Sequence, residues 1–434
     1  MRPTTPNIAS RRTGHAVPRP LLRIAVSTSA LAVVAATGAL AEDPTWIRFP
    51  GQAYETTANV PYDKQFMKDW ESAPPKGFPT LSPENINAMK TAIKRYEGIV
   101  ARGGWPVLPE ETIRAGAYNP NVEMLRQRLI ASGDLAPNET SGGYDFYVEK
   151  GVKRFQASNG LTPTGVADKR TIAALNVPAA LRLRQLQTNL GRITELARGA
   201  GKKYVVVNIP AAQIEAVDGD KVVSRHAGVV GKLDRQTPIL KSAIHQLNFN
   251  PVWHLPPTVI SQDLAPKGAD MSKRGQDVLA KFGIDAYAAD GRKVDTSKIN
   301  WSSGAAGQYS FRQQPGPENP LGFVKINFNN SHSVYMHDTP SQTLFGRNFR
   351  SASSGCVRIA GIEQLAAWLT AEQGWSPERV LSMKKSGERL DVNLKKPVPL
   401  YFAYITAWAT EDGVIQFRRD LYNKDGVGAV ASAY

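Results

Sequence analysis

YMHDTPSQTLFGRNFRSASSGCVRI, residues 335–359, decides how this chain is read. It contains the only cysteine of the 434 residues, Cys356, and, upstream of it, His337. Thiolate is the strongest common protein nucleophile, and an imidazole is the usual means of making it at neutral pH. In Ser331–His337 side chains alternate, so Ser333, Tyr335 and His337 share one face of a strand and His332, Val334 and Met336 the other. The chain then loops out and returns at Ser353. Gly355 permits a sharp turn or a close backbone approach. The pattern places Cys356 just ahead of a helix through Ile362, Leu365, Ala366 and Leu369. The helix end and an imidazolium would both depress the thiol pKa. Amides around Ser354, Gly355 and Cys356 are candidate oxyanion donors for acyl transfer.

Outward from this stretch the period is that of strands. KYVVVNIPAAQIEAVDGDKVVSRHAGVVG (203–231) reads as short strands with an Asp218-Gly219 hairpin turn. Phe323–Phe328 is a strand, Asn329-Asn330 a turn and Ser331–His337 the returning strand. Residues 252–322 are less regular and read as an insertion. PVPLYFAYITAWAT, from residue 397, is a late β element. Ahead of the β region the period is helical. Ser82-Pro83-Glu84 starts one helix, and Leu183, Leu186, Leu190, Ile193 and Ala197 mark an amphipathic connector. Residues 118–176 hold three more helices around Val122/Leu125/Leu129, Val148/Val152/Phe155/Gln156 and Thr171/Ile172/Leu175, with a turn at 160–165.

Residues 1–41 carry five arginines and no carboxylate, a short apolar run from Ile24 to Ala36, and Ala39-Leu40-Ala41 before Glu42, the pattern of an export signal. The formal net charge of +15 falls on its removal, but the remainder stays basic. Basic balance suits an anionic meshwork, a membrane surface or nucleic acid. Export makes nucleic acid a poor partner, and no later segment is apolar long enough to span a bilayer. A single cysteine in an exported chain closes no internal bridge, leaving a buried bystander or a reactive thiol. No histidine pair has zinc-site spacing with a carboxylate or cysteine partner, which argues against a metallopeptidase. Histidine precedes cysteine, the reverse of the papain order.

Two resemblances follow. VEMLRQRL…EKGVKRFQASNGLTPTGVADKRTIAAL, with the skeleton FQ…NGL…TG…T…L, resembles the three-helix peptidoglycan-binding module of bacterial wall enzymes. VVVNIPAAQIEAVDGDKVVSRHAGVVG…TPIL, NPVWHLPPTV and the 335–359 stretch together resemble the L,D-transpeptidase (YkuD-type) catalytic domain, in its larger Gram-negative branch. The implied fold class is multi-domain α+β, a β-rich catalytic domain preceded by a small three-helix module. The parts are a signal peptide (1–41), an extended leader and helical region (42–117), the module (118–176), a connector helix (177–201), the catalytic domain (202–385) with 252–322 as insertion and lid candidate, and a C-terminal β extension (386–434).

The resemblance makes Cys356 the nucleophile and His337 the base, with His337 oriented by a main-chain carbonyl near Asp338. Ser354, Gly355, Tyr335 and Arg358 are the candidates for oxyanion or substrate contact. Much of the family has Ser/Thr-His-Gly-Cys where this chain has Ser353-Ser354-Gly355-Cys356, so a second histidine is missing. The implied activity is formation of 3→3 cross-links between peptidoglycan stem peptides through a cysteine acyl-enzyme, in the periplasm, with no metal or organic cofactor. The same acyl-enzyme given to water or to a protein, as an L,D-carboxypeptidase, an endopeptidase or a wall-attachment enzyme, stays open, as does a non-catalytic wall-binding scaffold.

Overall fold

The computed structural model describes residues 79–137, 142–301, 304–410 and 412–426, together with Gln65, Phe66 and Trp70. The export signal read in residues 1–41 and most of the leader lie outside the described residues. Among the described residues, no helix is long and apolar enough to cross a membrane.

Five helices come first: α1 (Asn85–Ala101), α2 (Pro120–Ser132), α3 (Phe146–Ser158), α4 (Lys169–Leu175) and α5 (Ala179–Ala197). Side-chain oxygens start the middle three: Asn119 accepts from the amides of Asn121 and Val122, Asp145 from Val148, and Asp168 from Thr171. Such caps satisfy amides that a helix cannot satisfy internally. Helices α2–α4 bury their own apolar core of Val122, Leu125, Leu129, Val148, Val152, Phe155 and Ile172. Gln156 explains the sequence skeleton of this module. Its Nε2 donates to Thr164 Oγ1 (3.0 Å), Val166 O (2.9 Å) and Thr171 Oγ1 (3.0 Å), and its Oε1 accepts from Gly165 N (3.0 Å). One buried amide thus locks the turn onto the next helix, and Gly165 takes the positive φ (72°) that this turn needs.

The β region is a nine-stranded sheet with one embedded excursion. In chain order the strands are β1 (Lys203–Asn208), β2 (Gln213–Asp218), β3 (Lys221–Gly231) and β4 (Leu240–Phe249). The excursion holds β5 (Trp253–His254), α6 (Ala265–Lys273), α7 (Val278–Phe282), β6 (Ile284–Tyr287) and β7 (Ser310–Gln313). The sheet resumes with β8 (Val324–Phe328), β9 (Met336–His337), β10 (Ser351–Ser353) and β11 (Val357–Ile359). Then come α8 (Ile362–Thr370), α9 (Pro377–Ser386), β12 (Leu390–Ala403) and a hairpin of β13 (Ala407–Ala409) and β14 (Ile415–Phe417). The order is β10-β3-β11-β9-β8-β4-β12-β1-β2, and β2 also pairs with β3, so the sheet closes on itself. Val205, Val207, Ile244, Leu247, Ile326, Met336, Val357 and Leu400 fill the inside together with Leu365 and Leu369 of α8.

Four sequence readings are refined. The 177–201 connector helix also builds a core of its own. Leu186 and Ile193 of α5 pack with Met89 and Tyr96 of α1 against Val206, Tyr401 and Trp408, a second core outside the closed sheet. The C-terminal β extension at 386–434 is integral to the sheet, because β12 lies between β4 and β1 and completes the closure. Its alternating burial was hidden by Lys395, Lys396 and Pro397, where the register with β4 shifts. The 252–322 insertion has regular structure, a three-stranded β5-β7-β6 sheet with α6 and α7 around Leu264, Leu279, Ile284 and Phe311. Finally, only Met336 and His337 of the returning strand pair as a strand. Asn330 Oδ1 accepts from His332 N (3.0 Å) and Val334 N (3.1 Å), and Ser333 takes φ 56°, so a side-chain-bonded loop replaces the first half.

Candidate active site

β9 is two residues long, yet a strand on each side fixes it. His337 stands opposite Lys325 of β8 on one side and Arg358 of β11 on the other. The row Lys325–His337–Arg358 therefore lies on one face of the sheet, while Ile326, Met336 and Val357 point into the core. His337 Nδ1 lies 2.5 Å from the carbonyl oxygen of Asp338. A carbonyl only accepts, so Nδ1 carries the proton and Nε2 is left as the basic nitrogen. The Asp338 carboxylate does other work: Oδ2 accepts from Phe323 N at 3.0 Å. It fills the space beside Gly322, which has φ +58° and where a Cβ would collide with Oδ2. Burial first and the Arg358 charge second pull the His337 pKa down from 6.5 to about 3. Carbonyl oxygens of Asp338 and Pro320 oppose this and lose.

Cys356 follows the bend between β10 and β11. Ser353, fully buried, staples that bend: its hydroxyl donates to Cys356 O (2.5 Å) and accepts from Gly355 N (3.1 Å). Thr237 donates to Gly355 O (2.8 Å) from the β3–β4 loop. A Cβ on Gly355 would meet only ordinary contacts, so it is the φ of +113° that requires glycine here. The Gly355 amide is committed to Ser353, which leaves the amides of Ser354 and Cys356 as oxyanion candidates.

The thiol environment differs from the sequence expectation. β11 separates Cys356 from α8, so the cysteine does not open that helix, and burial pushes the thiol pKa up. Hydrogen bonds from the Tyr335 amide and hydroxyl and the charges of Arg358 and Lys325 oppose that rise without cancelling it. Both shifts, the thiol up and the imidazole down, favour the neutral forms over a thiolate–imidazolium pair.

Tyr335 links this centre to the insertion. Its hydroxyl bonds to Cys356 and to the side chain of Trp253, whose indole can only donate. Its ring packs against the insertion core and lies 5.6 Å, centroid to centroid, from His337. Arg235 makes a second link, donating to Ser354 Oγ (3.2 Å) and to Gln262 Oε1 (2.5 Å) of the insertion. Exposed His254 sits close enough to Arg312 and Lys325 for both charges to lower its pKa, after burial. All six site residues named from sequence, Cys356, His337, Tyr335, Ser354, Gly355 and Arg358, thus gather at one end of the β8–β9–β11 row. Sequence reasoning missed Lys325, Thr237 and Arg235. Lys325 alternates with buried Val324 and Ile326 and looks like any outward strand residue; only the register reveals it. Trp301 belongs to the insertion core, stacked on Phe311. His226 is a structural histidine between Ala360 O and Ser224 Oγ, each at 2.9 Å.

Residues 202–398 match the family described as "L,D-transpeptidase catalytic domain", and residues 118–175 match "Putative peptidoglycan binding domain". A curated Haemophilus influenzae protein described as "Putative L,D-transpeptidase" is 33% identical over 223 residues, 51% of this chain and 44% of that protein. The match thus spans under half of that relative's length. Among solved structures, an L,D-transpeptidase from Mycobacterium smegmatis is 12% identical, covering 46% of this chain and 58% of that one, with a TM-score of 0.21. One from Stackebrandtia nassauensis is 14% identical, covering 68% and 96%, with a TM-score of 0.25.

Proposed function

We propose that this chain, which carries an L,D-transpeptidase catalytic domain behind a helical peptidoglycan-binding-type module, forms 3→3 cross-links between peptidoglycan stem peptides in the periplasm through an acyl-enzyme on Cys356. The observation that carries this reading is the constellation of one partly exposed cysteine, a buried histidine whose Nδ1 is held by a backbone carbonyl, and a glycine bend directly before the cysteine that leaves the amides of Ser354 and Cys356 as oxyanion donors.

His337 Nε2 takes the thiol proton as the sulfur attacks the carbonyl carbon at the L-centre of the third stem residue. The amides of Ser354 and Cys356 receive the oxyanion. The C–N bond to the terminal D-alanine breaks, and the imidazolium returns its proton to the departing amine. A thioester remains. The side-chain amine of a neighbouring diaminopimelate attacks it and loses a proton to His337. The thiolate leaves and recovers that proton. Because thiol and imidazole both rest neutral, proton transfer accompanies attack rather than preceding it. Tyr335, bonded to the sulfur, steadies the thiolate as it forms.

The test is incubation of the full chain with tetrapeptide muropeptides. The expected products are cross-linked dimers and free D-alanine, with a Cys356 thioester visible by intact mass. Cys356→Ser should lose turnover by at least about 10³-fold with the fold retained. Tripeptide monomers alone would replace the amine acceptor by water, and undiminished turnover by Cys356→Ser would remove the acyl-enzyme.

A further inference from the structure

Lys325 occupies the same row as His337 and Arg358 but has no role in the chemistry above. Its ammonium lies 4.5 Å from the centroid of the Tyr335 ring, the ring whose hydroxyl bonds to Cys356. Its charge is felt at Cys356, His337 and His254, so it stands in the cleft between the sheet and the insertion. It is half-buried, and that burial works against the charge. Among the described residues its ammonium makes no hydrogen bond or ion pair. The acid that could serve it is engaged elsewhere. Asp391 of β12 supports it through charge alone, from two strands away across β4, where Asn248 Nδ2 donates to Asp391 Oδ1 at 2.7 Å. Neighbouring amides close on each other as well: Gln246 Nε2 donates to Asn393 Oδ1 (3.0 Å) and Asn327 Nδ2 to Gln246 Oε1 (3.1 Å). The sheet face beside the nucleophile is thus a self-satisfied amide ladder ending in one cation that its neighbours do not neutralise. Arg358, across His337 in the same row, and Arg312, which acts with Lys325 on His254, are also positive. Desolvating an ammonium without an anion is costly, and a charge-assisted bond to a carboxylate is the natural return.

We propose that Lys325 is a specificity-determining residue of the donor site, its ammonium receiving the terminal carboxylate of the D-amino acid that leaves when Cys356 is acylated. This rests on the acyl-transfer reading. With the scissile carbonyl at the sulfur, the terminal carboxylate of a tetrapeptide is the nearest anion along the chain, one residue beyond the bond that breaks. Lys325 then selects donors that end at the leaving residue, and cation–π contact with Tyr335 holds the ammonium in place until the anion arrives.

The experiment compares two donors, a disaccharide tetrapeptide and the same compound with its C-terminus as the carboxamide. The readout is kcat/KM for release of the last residue by the wild type, Lys325→Met and Lys325→Arg. The wild type should prefer the carboxylate by ~10-fold or more. Lys325→Met should bring that preference to within about 2-fold, mostly through KM, and Lys325→Arg should keep part of it. Thermal melts of each variant show whether the fold is kept, and the ratio of the two donors is internal to each protein, so partial misfolding does not move it. Equal use of both donors by the wild type, or full preference in Lys325→Met, overturns the assignment while leaving acyl transfer standing. Failure of the folded wild type to release the last residue from either donor removes acyl transfer itself, and the assignment with it.

Discussion

Two units are added to the closed sheet, the helical module before it and the insertion within it, and they are fastened in opposite ways. Each has its own apolar core. The module is joined mainly through buried polar side chains that meet α5 and the β13–β14 region, with one further bond to the loop between His337 and Cys356, where Asn348 Oδ1 accepts from Thr162 N at 2.7 Å. Arg418 donates to Ser158 O (2.9 Å), Arg182 to Asn159 Oδ1 (2.9 Å), and Gln185 and Asn189 of α5 bond to Thr406 and Arg418 of the β13–β14 region. The insertion is clamped at its root, where Asn250 N meets Phe323 O (2.7 Å) and Asn319 meets Pro251 O (3.0 Å). Its other attachments run through the active site itself, Trp253 to Tyr335 and Gln262 to Arg235, which also donates to Ser354. The module is thus held mainly by residues outside the site, whereas the insertion is held partly by catalytic parts. Disturbing the first should change stability, and disturbing the second should change both stability and turnover.

The largest effect belongs to His337, where the insertion meets the sheet. His337→Gln should lower kcat/KM by about 10²–10⁴-fold. In the wild type the imidazole stays neutral far below its ordinary value of 6.5. The kcat/KM profile should therefore show no inflection near pH 6.5, and a limb there would mean that a charged imidazole is the resting form. Stability carries the same sign. A histidine whose folded pKa is depressed contributes stability that is present above the unfolded pKa and lost as pH falls from about 6.5 toward 3. Melts between pH 7 and 5 should fall more steeply for the wild type than for His337→Gln. Asp338, raised by burial, titrates with the opposite sign in both proteins and drops out of the difference.

Next comes Arg418, on the module side. It also donates to Phe417 O (2.8 Å) and Gln416 Oε1 (2.9 Å) and lies over Trp408. Gly160 leaves room for it; a Cβ there would come within 2.7 Å of Arg418 Cδ. Arg418→Met removes the shared cation and strands several buried acceptors, destabilising the first unfolding transition by about 3 kcal/mol. Turnover of a small soluble tetrapeptide donor, measured well below that transition, should stay within about 2-fold of the wild type. A large loss of kcat/KM in a folded Arg418→Met would show that the two attachments are coupled after all.

How much of this was legible in the sequence follows the same division. The module was readable because its signals are local: Asn119, Asp145 and Asp168 cap the helices that follow them, and Gln156 bonds within its own neighbourhood. Cys356, His337 and the glycine bend were readable because they sit in one contiguous stretch whose composition is distinctive. Long-range pairing was not. Nothing in the composition around Lys325 says that it faces His337, because that fact belongs to the register of β8 against β9. The place of β12 between β4 and β1 joins residues more than a hundred positions apart. The thiol pKa was misjudged for a related reason: helix position can be guessed from periodicity, but desolvation depends on which distant side chains cover the sulfur.

Asn319 gives the smallest effect and the sharpest separation of the two attachments. It is fully buried, its Nδ2 facing the carbonyls of Pro251 (3.0 Å), Gln314 (3.2 Å) and Gln313 (3.4 Å), and its Oδ1 accepting from Leu321 N (2.9 Å). Asn319→Ala leaves those backbone groups without their partner at about 1–3 kcal/mol, borne where the insertion joins the sheet. Hydrogen exchange should quicken for amides across residues 253–321 and stay unchanged across 118–177. Turnover should fall modestly, because Trp253 and Tyr335 lose the support of the root. If exchange quickened equally in both units, the insertion would have no fastening of its own, and the contrast between the two attachments would be lost.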